Sequence, residues 1–331
     1  MDRKNIIITG GAGFLGSHLA EVLVDNYNVI AIDNFITSNV SNIQFLLEHP
    51  NFEFIKHDLT QPIDLNQYPE LDLFKVKALG VQEIYHLACP TSPKHYNKYP
   101  IETILANSHA TYNILELAKK YNAKVLFASS AAVYGNYRGN APISEDFWGE
   151  VNPIGPRSAY DEGKRFAESL CVNYKNAYNM DIKIARIFKT FGPRMLVNDG
   201  RMIPDFIVSA LNNKPLKIYG DEYLSATFCY VDDMIEGLVR LMNSSIPGPV
   251  NLGSDHSHRV ADIAQRIIDL TSSKSQIEYM DPLPYPTEHG VPDITRAKEV
   301  LGWFPLVSIE DGLKKTIDYM RAHYRLYNIN V

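Results

Sequence analysis

Three cysteines in 331 residues, Cys89, Cys171 and Cys229, are odd in number, widely spaced and outside any CxxC pairing. Their scarcity argues against a disulfide framework and a zinc site, predicts no metal, and fits a reducing cytoplasm. No run of Lys or Arg interrupts a formal charge of −6 spread along the chain. Nothing therefore tracks a phosphate backbone, and nucleic acid is not an expected partner. No apolar stretch reaches membrane-spanning length, and Arg3-Lys4 precedes only Ile6, Ile7 and Ile8 before glycines begin. Neither a membrane span nor a targeting segment is expected. Internal repeats and low-complexity tracts are also missing. What is present is an ordinary globular composition, 45% hydrophobic and 21% charged, with enough chain for one large or two unequal domains.

Short extended runs alternate with helical periodicity. Asn5–Thr9, Asn28–Ile32, Phe52–Ile55, Val81–Leu87, Lys124–Ala128 and Ile182–Ile187 read as strands. Phe14–Asp25, Asn42–Glu48, Ile101–Lys120 and Ser158–Tyr178 read as helices. This period predicts an α/β fold, a doubly wound parallel sheet of Rossmann type with helices on both faces. Beyond about Gly192, shorter elements punctuated by Pro and Gly predict a smaller C-terminal substrate lobe. The expected division is 1–191 for the nucleotide-binding domain and 192–331 for mainly the substrate lobe, with the chain crossing between them. The Gln61–Lys77 stretch reads as a loop-rich insertion with no derivable role.

Thr9-Gly10-Gly11-Ala12-Gly13-Phe14-Leu15-Gly16 lies between the first strand and the first helix. A tight turn, close backbone approach to a pyrophosphate and close helix packing each call for glycine there. Asp33 ends the second strand about 20 residues later, where a carboxylate accepts from adenosine ribose hydroxyls and repels a 2′-phosphate. NAD is therefore expected rather than NADP, with Asn34 beside it. Asp58, just past the third strand, suits either the adenine amine or a loop cap.

Asn152–Lys164 places Tyr160 and Lys164 four residues apart on a helix, hence on one face. A free tyrosine has a pKa of about 10, so work as a base near neutrality needs about 3 units of depression. An ammonium about 4 Å away supplies that order. The expectation is a tyrosinate poised to take a hydroxyl proton; the spacing alone also suits an ordinary surface pair. Ser130, in Phe127–Gly135, follows a strand at the sheet's carboxyl edge and can bond the same hydroxyl.

Together these blocks closely resemble the extended short-chain dehydrogenase/reductases of the NAD-dependent epimerase/dehydratase family, which act on nucleotide sugars. The resemblance covers nearly the whole chain. It is densest to the UDP-glucuronate decarboxylase branch in His86-Leu-Ala-Cys-Pro90, Asn152–Arg165, Ile184-Ala-Arg-Ile-Phe188, Gly192-Pro-Arg-Met195 and Phe228-Cys-Tyr-Val-Asp-Asp233. It implies Tyr160 as base, Lys164 as its electrostatic partner and nicotinamide-ribose contact, Ser130 as the substrate-hydroxyl ligand, and Asn107 as support for the lysine. Further cofactor contacts are implied at Leu59, Leu87 and Ala88, and substrate contacts at Pro90, Lys94, Lys189, Arg194, Phe206, Ile218 and Tyr219. It also implies a homodimer in which Ile101–Lys120 and Ser158–Tyr178 form a four-helix bundle.

Departures from the family pattern gather in the substrate half. Ser130-Ala131-Ala132 stands where Thr-Ser-Glu is usual, so a carboxylate is missing at Ala132. Ala226 replaces an arginine that grips the diphosphate, and an arginine pair is replaced near His289-Gly290-Val291. Lys189 takes the place of Asn, and Phe191 that of Tyr. An alanine cannot replace the paired bonds of an arginine fork. His95 reads as a solvent-exposed loop residue and Cys89 as packing. The leading expectation is C4 oxidation of a nucleotide sugar followed by decarboxylation. The alternatives are a 4-epimerase or simple oxidoreductase, favoured by Ala132, and a non-catalytic NAD-binding scaffold.

Overall fold

The computed structural model describes residues 3–137, 139, 141–197, 199–283 and 290–326, with side chains through residue 323. Strand β1 (Asn5–Thr9) is buried along its whole length, as an unbroken β-branched run at the centre of a parallel sheet must be. Helix α1 (Phe14–Leu23) turns Leu19, Ala20 and Leu23 into the core. Strands β2 (Asn28–Asp33), β3 (Phe52–Lys56), β4 (Glu83–His86), β5 (Lys124–Ser130), β6 (Ile182–Ile187) and Pro249–Leu252 complete a seven-stranded sheet. All neighbours run parallel, in the order Pro249–Leu252, β6, β5, β4, β1, β2, β3. The order reverses between β1 and β4, which opens a crevice at their carboxyl ends. The edge strand Pro249–Leu252 lies well beyond residue 192, so the sheet draws on both halves of the chain.

Three elements differ from expectation. Residues 42–48 form two 3₁₀ turns, Val40–Asn42 and Gln44–Leu46, rather than an α-helix. Ile43 and Leu46, three apart, are both buried, which is the spacing that a 3₁₀ turn stacks on one side. The expected helix 101–120 is interrupted: Pro100–Leu105 and Thr111–Tyr121 are α-helical, and Ala106–Ala110 between them is π-helical. The Gln61–Lys77 stretch is not a mere insertion. It carries the crossover from β3 to β4 as short turns, and Leu65, Leu71, Phe74 and Val76 seal the core on that face of the sheet.

Helix Ser158–Tyr178 packs across the π-helical segment. At Gly163 a Cβ would stand 3.0 Å from Asn107 Nδ2, so the close approach of the two helices depends on glycine. Beside it, a buried polar network joins both halves of the chain. Arg186 on β6 holds Glu168 in two bonds, Nε to Oε1 at 3.0 Å and Nη2 to Oε2 at 2.8 Å. Its Nη1 donates to Tyr134 Oη and to the Glu145 carbonyl. Tyr134 Oη donates in turn to Asn251 Oδ1 at 2.6 Å, and Ser129 Oγ to Glu168 Oε1. Every member has a partner, the condition under which burying such groups is tolerated.

Candidate active site

The crevice is a cleft of 1410 Å³ running from the glycine turn to the Pro-rich C-terminal half. Gly10 has φ +67°, and a Cβ on Gly16 would lie 2.1 Å from the Gly10 carbonyl oxygen. The turn therefore closes only with glycine at these points. No side chain caps α1 at Gly13, and Gly13, Phe14, Leu15 and Gly16 line the cleft, so the helix N-terminus borders it, an arrangement suited to a diphosphate. Thr9 Oγ1 accepts from the N–H groups of both Leu87 and Ala88, holding β4 against the turn. Asp33 accepts from the Ala12 and Phe35 N–H groups and from the Ser38 hydroxyl, which fixes its carboxylate at the cleft wall. Asn34 Oδ1 accepts from Ile36 N, and Asp58 Oδ1 from Thr60 N and Oγ1. Asn34, Asp58 and Leu59 all line the cleft. Glycines that leave room for a pyrophosphate and an anchored carboxylate beyond them fit a dinucleotide of the NAD type.

Ser130, Tyr160 and Lys164 converge in the middle of the cleft. Tyr160 hydrogen-bonds Ser130, whose Oγ also accepts from Ala132 N at 3.2 Å. The expected depression of the phenol is corrected by the structure. Burial, reinforced by the neighbouring Cys89, pushes Tyr160 above its ordinary pKa, against the opposing Ser130 bond. Lys164 Nζ lies 6.0 Å from the centre of the Tyr160 ring and donates to the Ala128 carbonyl at 2.8 Å. Desolvation is the largest cause for the phenol, because burial penalises its charged form. Burial also lowers the Lys164 pKa.

Asn107 lies behind the cleft rather than on its wall. Its Nδ2 donates to the Thr103 carbonyl at 2.9 Å and to Cys89 Sγ at 3.1 Å, so its side chain holds Cys89 instead of bonding Lys164 directly. Burial raises the Cys89 thiol pKa, consistent with packing rather than nucleophilic use. Ala132 is fully buried against Tyr96 and Tyr160. The rings of Tyr96 and Tyr160 stack at 5.2 Å with 12° between their planes.

In the substrate half, Pro90, Lys189, Phe206, Ile218, Tyr219, Ala226 and Gly290 border the cleft, while His289 lies outside the described residues. Phe206 and Ile218 are also core residues, whereas Tyr219 is exposed. Lys94 is a correction. It is exposed on helix Pro93–Lys98 and does not line the cleft. Ser92 caps that helix so that Tyr96 turns inward, and a residue two positions earlier points the other way. His95 is also corrected. It is partly buried at the cleft wall with Nδ1 2.8 Å from Ser92 Oγ, and burial lowers its pKa. Arg194 also lines the cleft, where it pairs with Glu21 of α1 and lies 4.6 Å from the centre of the Phe45 ring.

Tyr96 lines the cleft, as its place in the loop after Cys89–Lys94 suggests, whereas sequence reasoning missed Arg157 and Arg201 as cleft residues. Arg157 pairs with Asp161 at 3.0 Å, donates to Tyr96 Oη, and lies 5.2 Å from the centre of the Tyr96 ring. Its position three residues before Tyr160, one helical turn, was the available signal. Arg201 donates to Thr91 Oγ1 and pairs with Asp199 at 3.5 Å; no spacing pointed to it. Among the described residues, no group of three or more His, Cys, Asp or Glu could hold a metal, and no helix is long and apolar enough to cross a membrane.

UDP-glucuronic acid decarboxylase 1 of Danio rerio is 45% identical over 319 residues, covering 96% of this chain and 73% of that protein. UDP-glucuronic acid decarboxylase 5 of Arabidopsis thaliana is 42% identical, covering 93% of this chain and 86% of that one. Among solved structures, the UDP-glucuronic acid 4-epimerase of Bacillus cereus in complex with UDP-glucuronic acid and NAD is similar at TM-score 0.83 and 29% identity, covering 97% of this chain and 100% of its own. With the GDP-mannose 4,6 dehydratase family pattern matching residues 7–316, the chain belongs to that family of sugar-nucleotide epimerases, dehydratases and decarboxylases.

Proposed function

We propose that the protein uses NAD to oxidise UDP-glucuronate at C4 and then releases its C6 carboxylate as carbon dioxide. The observation that carries this reading is the convergence of Ser130, Tyr160 and Lys164 midway between the glycine turn and the substrate half of one cleft. Ser130 orients the C4 hydroxyl and Tyr160 takes its proton, while Lys164 adds positive charge behind the ring. NAD held along the glycine turn and Asp33 would supply the acceptor for the C4 hydride and a cationic ring whose field favours the phenolate. The resulting ketone is β to the carboxylate. Cleavage of C5–C6 then releases carbon dioxide, and its electron pair passes through C5 to the ketone oxygen. Reprotonation at C5 and return of the hydride restore a redox-neutral turnover.

A second reading, 4-epimerisation, is favoured by the methyl of Ala132 where decarboxylases carry a carboxylate. Incubation with UDP-glucuronate is expected to release carbon dioxide with a UDP-pentose; appearance of UDP-galacturonate, or of no product, overturns decarboxylation.

The protein is further proposed to work in the cytoplasm as a homodimer. Free Cys89, Cys171 and Cys229 support the compartment. Support for the dimer comes from the neighbouring helices Pro100–Leu105, Thr111–Tyr121 and Ser158–Tyr178, which leave Ile101, Ile104, Tyr112, Phe166, Val172 and Tyr178 exposed. Light scattering is expected to give twice the 37.4 kDa chain mass; a monomer at micromolar concentration refutes the bundle.

A further inference from the structure

Lys189 is a partly buried cation on the cleft wall, just past the carboxyl end of β6. Among the described residues its ammonium has no hydrogen-bond or ion-pair partner. Its nearest strong field is that of another cation, Arg157; burial first, and then that guanidinium, lower its pKa to about 8. Arg157 is itself paired with Asp161, so the group left without a counter-charge is the desolvated Lys189 ammonium, which is unfavourable unless an anion enters the cleft beside it. The backbone holds it there, because the Lys189 carbonyl accepts from Cys229 N at 2.9 Å.

Position identifies the anion. Ile187, two residues before Lys189, pairs with Ser130 across β6 and β5. Arg157 donates to Tyr96, whose ring stacks on Tyr160. Lys189 is thus tied to Ser130 through the β5–β6 register and Arg157 to Tyr160 through Tyr96, and all four line the same cleft. A sugar whose C4 hydroxyl meets Ser130 and Tyr160 has its C5 substituent adjacent. We infer that Lys189, with Arg157 beside it, seats the C6 carboxylate of a hexuronate and makes this cleft selective for acidic over neutral nucleotide sugars. This inference rests on the proposed binding of a nucleotide sugar with C4 at Tyr160.

The test measures dissociation constants of UDP, UDP-glucose and UDP-glucuronate on the NAD-loaded full chain, in wild type, Lys189→Met and Lys189→Arg. A hydrogen bond to a charged group contributes about 1.5–3 kcal/mol, so wild type is expected to prefer the uronate over UDP-glucose by about ten- to hundredfold. That preference should fall to near unity in Lys189→Met and survive in Lys189→Arg. A ratio that persists in Lys189→Met overturns the seat. So does equal weakening of UDP, UDP-glucose and UDP-glucuronate, which would assign Lys189 to the diphosphate. Absence of binding by any of the three in wild type would instead overturn the proposed function, and the seat with it.

Discussion

Tyr160→Phe is expected to lower carbon dioxide release from UDP-glucuronate by about 10²- to 10⁴-fold, the range that a positioned proton-transfer group contributes. The substitution removes one oxygen and keeps the ring, so the stack on Tyr96 and the packing around Ala132 persist. What disappears is the phenol that bonds Ser130 at the centre of the cleft. Because burial raises the Tyr160 pKa, positive charge brought into the cleft favours the proton acceptor. Wild type should therefore show bound NADH in a single turnover, and the variant should bind NAD without reducing it. Full turnover by Tyr160→Phe would return the protein to the non-catalytic scaffold reading.

Arg186→Met should cost about 3–5 kcal/mol of stability, measured by chemical denaturation, the range for removing one partner of a buried ion pair. Both side chains of the Arg186–Glu168 pair are 12% exposed. Loss of the guanidinium leaves the Glu168 carboxylate desolvated and withdraws the donors to Tyr134 and to the Glu145 carbonyl. Adding Glu168→Gln should recover part of the loss by removing the stranded charge. A single variant as stable as wild type would show that water reaches the pair and that the network is not closed. Since Ser129 also bonds Glu168, the residue before Ser130 is tied to the same unit, linking stability to the edge of the site.

Much of this architecture was legible because it is written in local patterns. β1, helix Ser158–Tyr178 and β6 fall where periodicity places them, and the glycine turn lies between β1 and α1 with Asp33 at the end of β2. Residues 42–48 were misread because apolar spacing of three suits an α-helix and a 3₁₀ turn alike. The role of 61–77 was illegible because isolated apolar residues among prolines acquire meaning only against a sheet face assembled from distant strands. Lys94 and His95 were misjudged because one capping serine sets which side of a short helix turns inward.

The sequence by itself determined the alternating α/β order, the cradle that admits only glycine, and the four-residue spacing that puts Tyr160 and Lys164 on one helix face. These depend on steric and periodic rules acting over a few residues. Only the tertiary structure decided the electrostatics: that burial raises rather than lowers the phenol's pKa, that Lys164 turns to the Ala128 carbonyl, and that Lys189 lies on the cleft wall with no counterion among the described residues. Desolvation depends on everything packed around a group, and those neighbours are brought together from segments far apart in the chain.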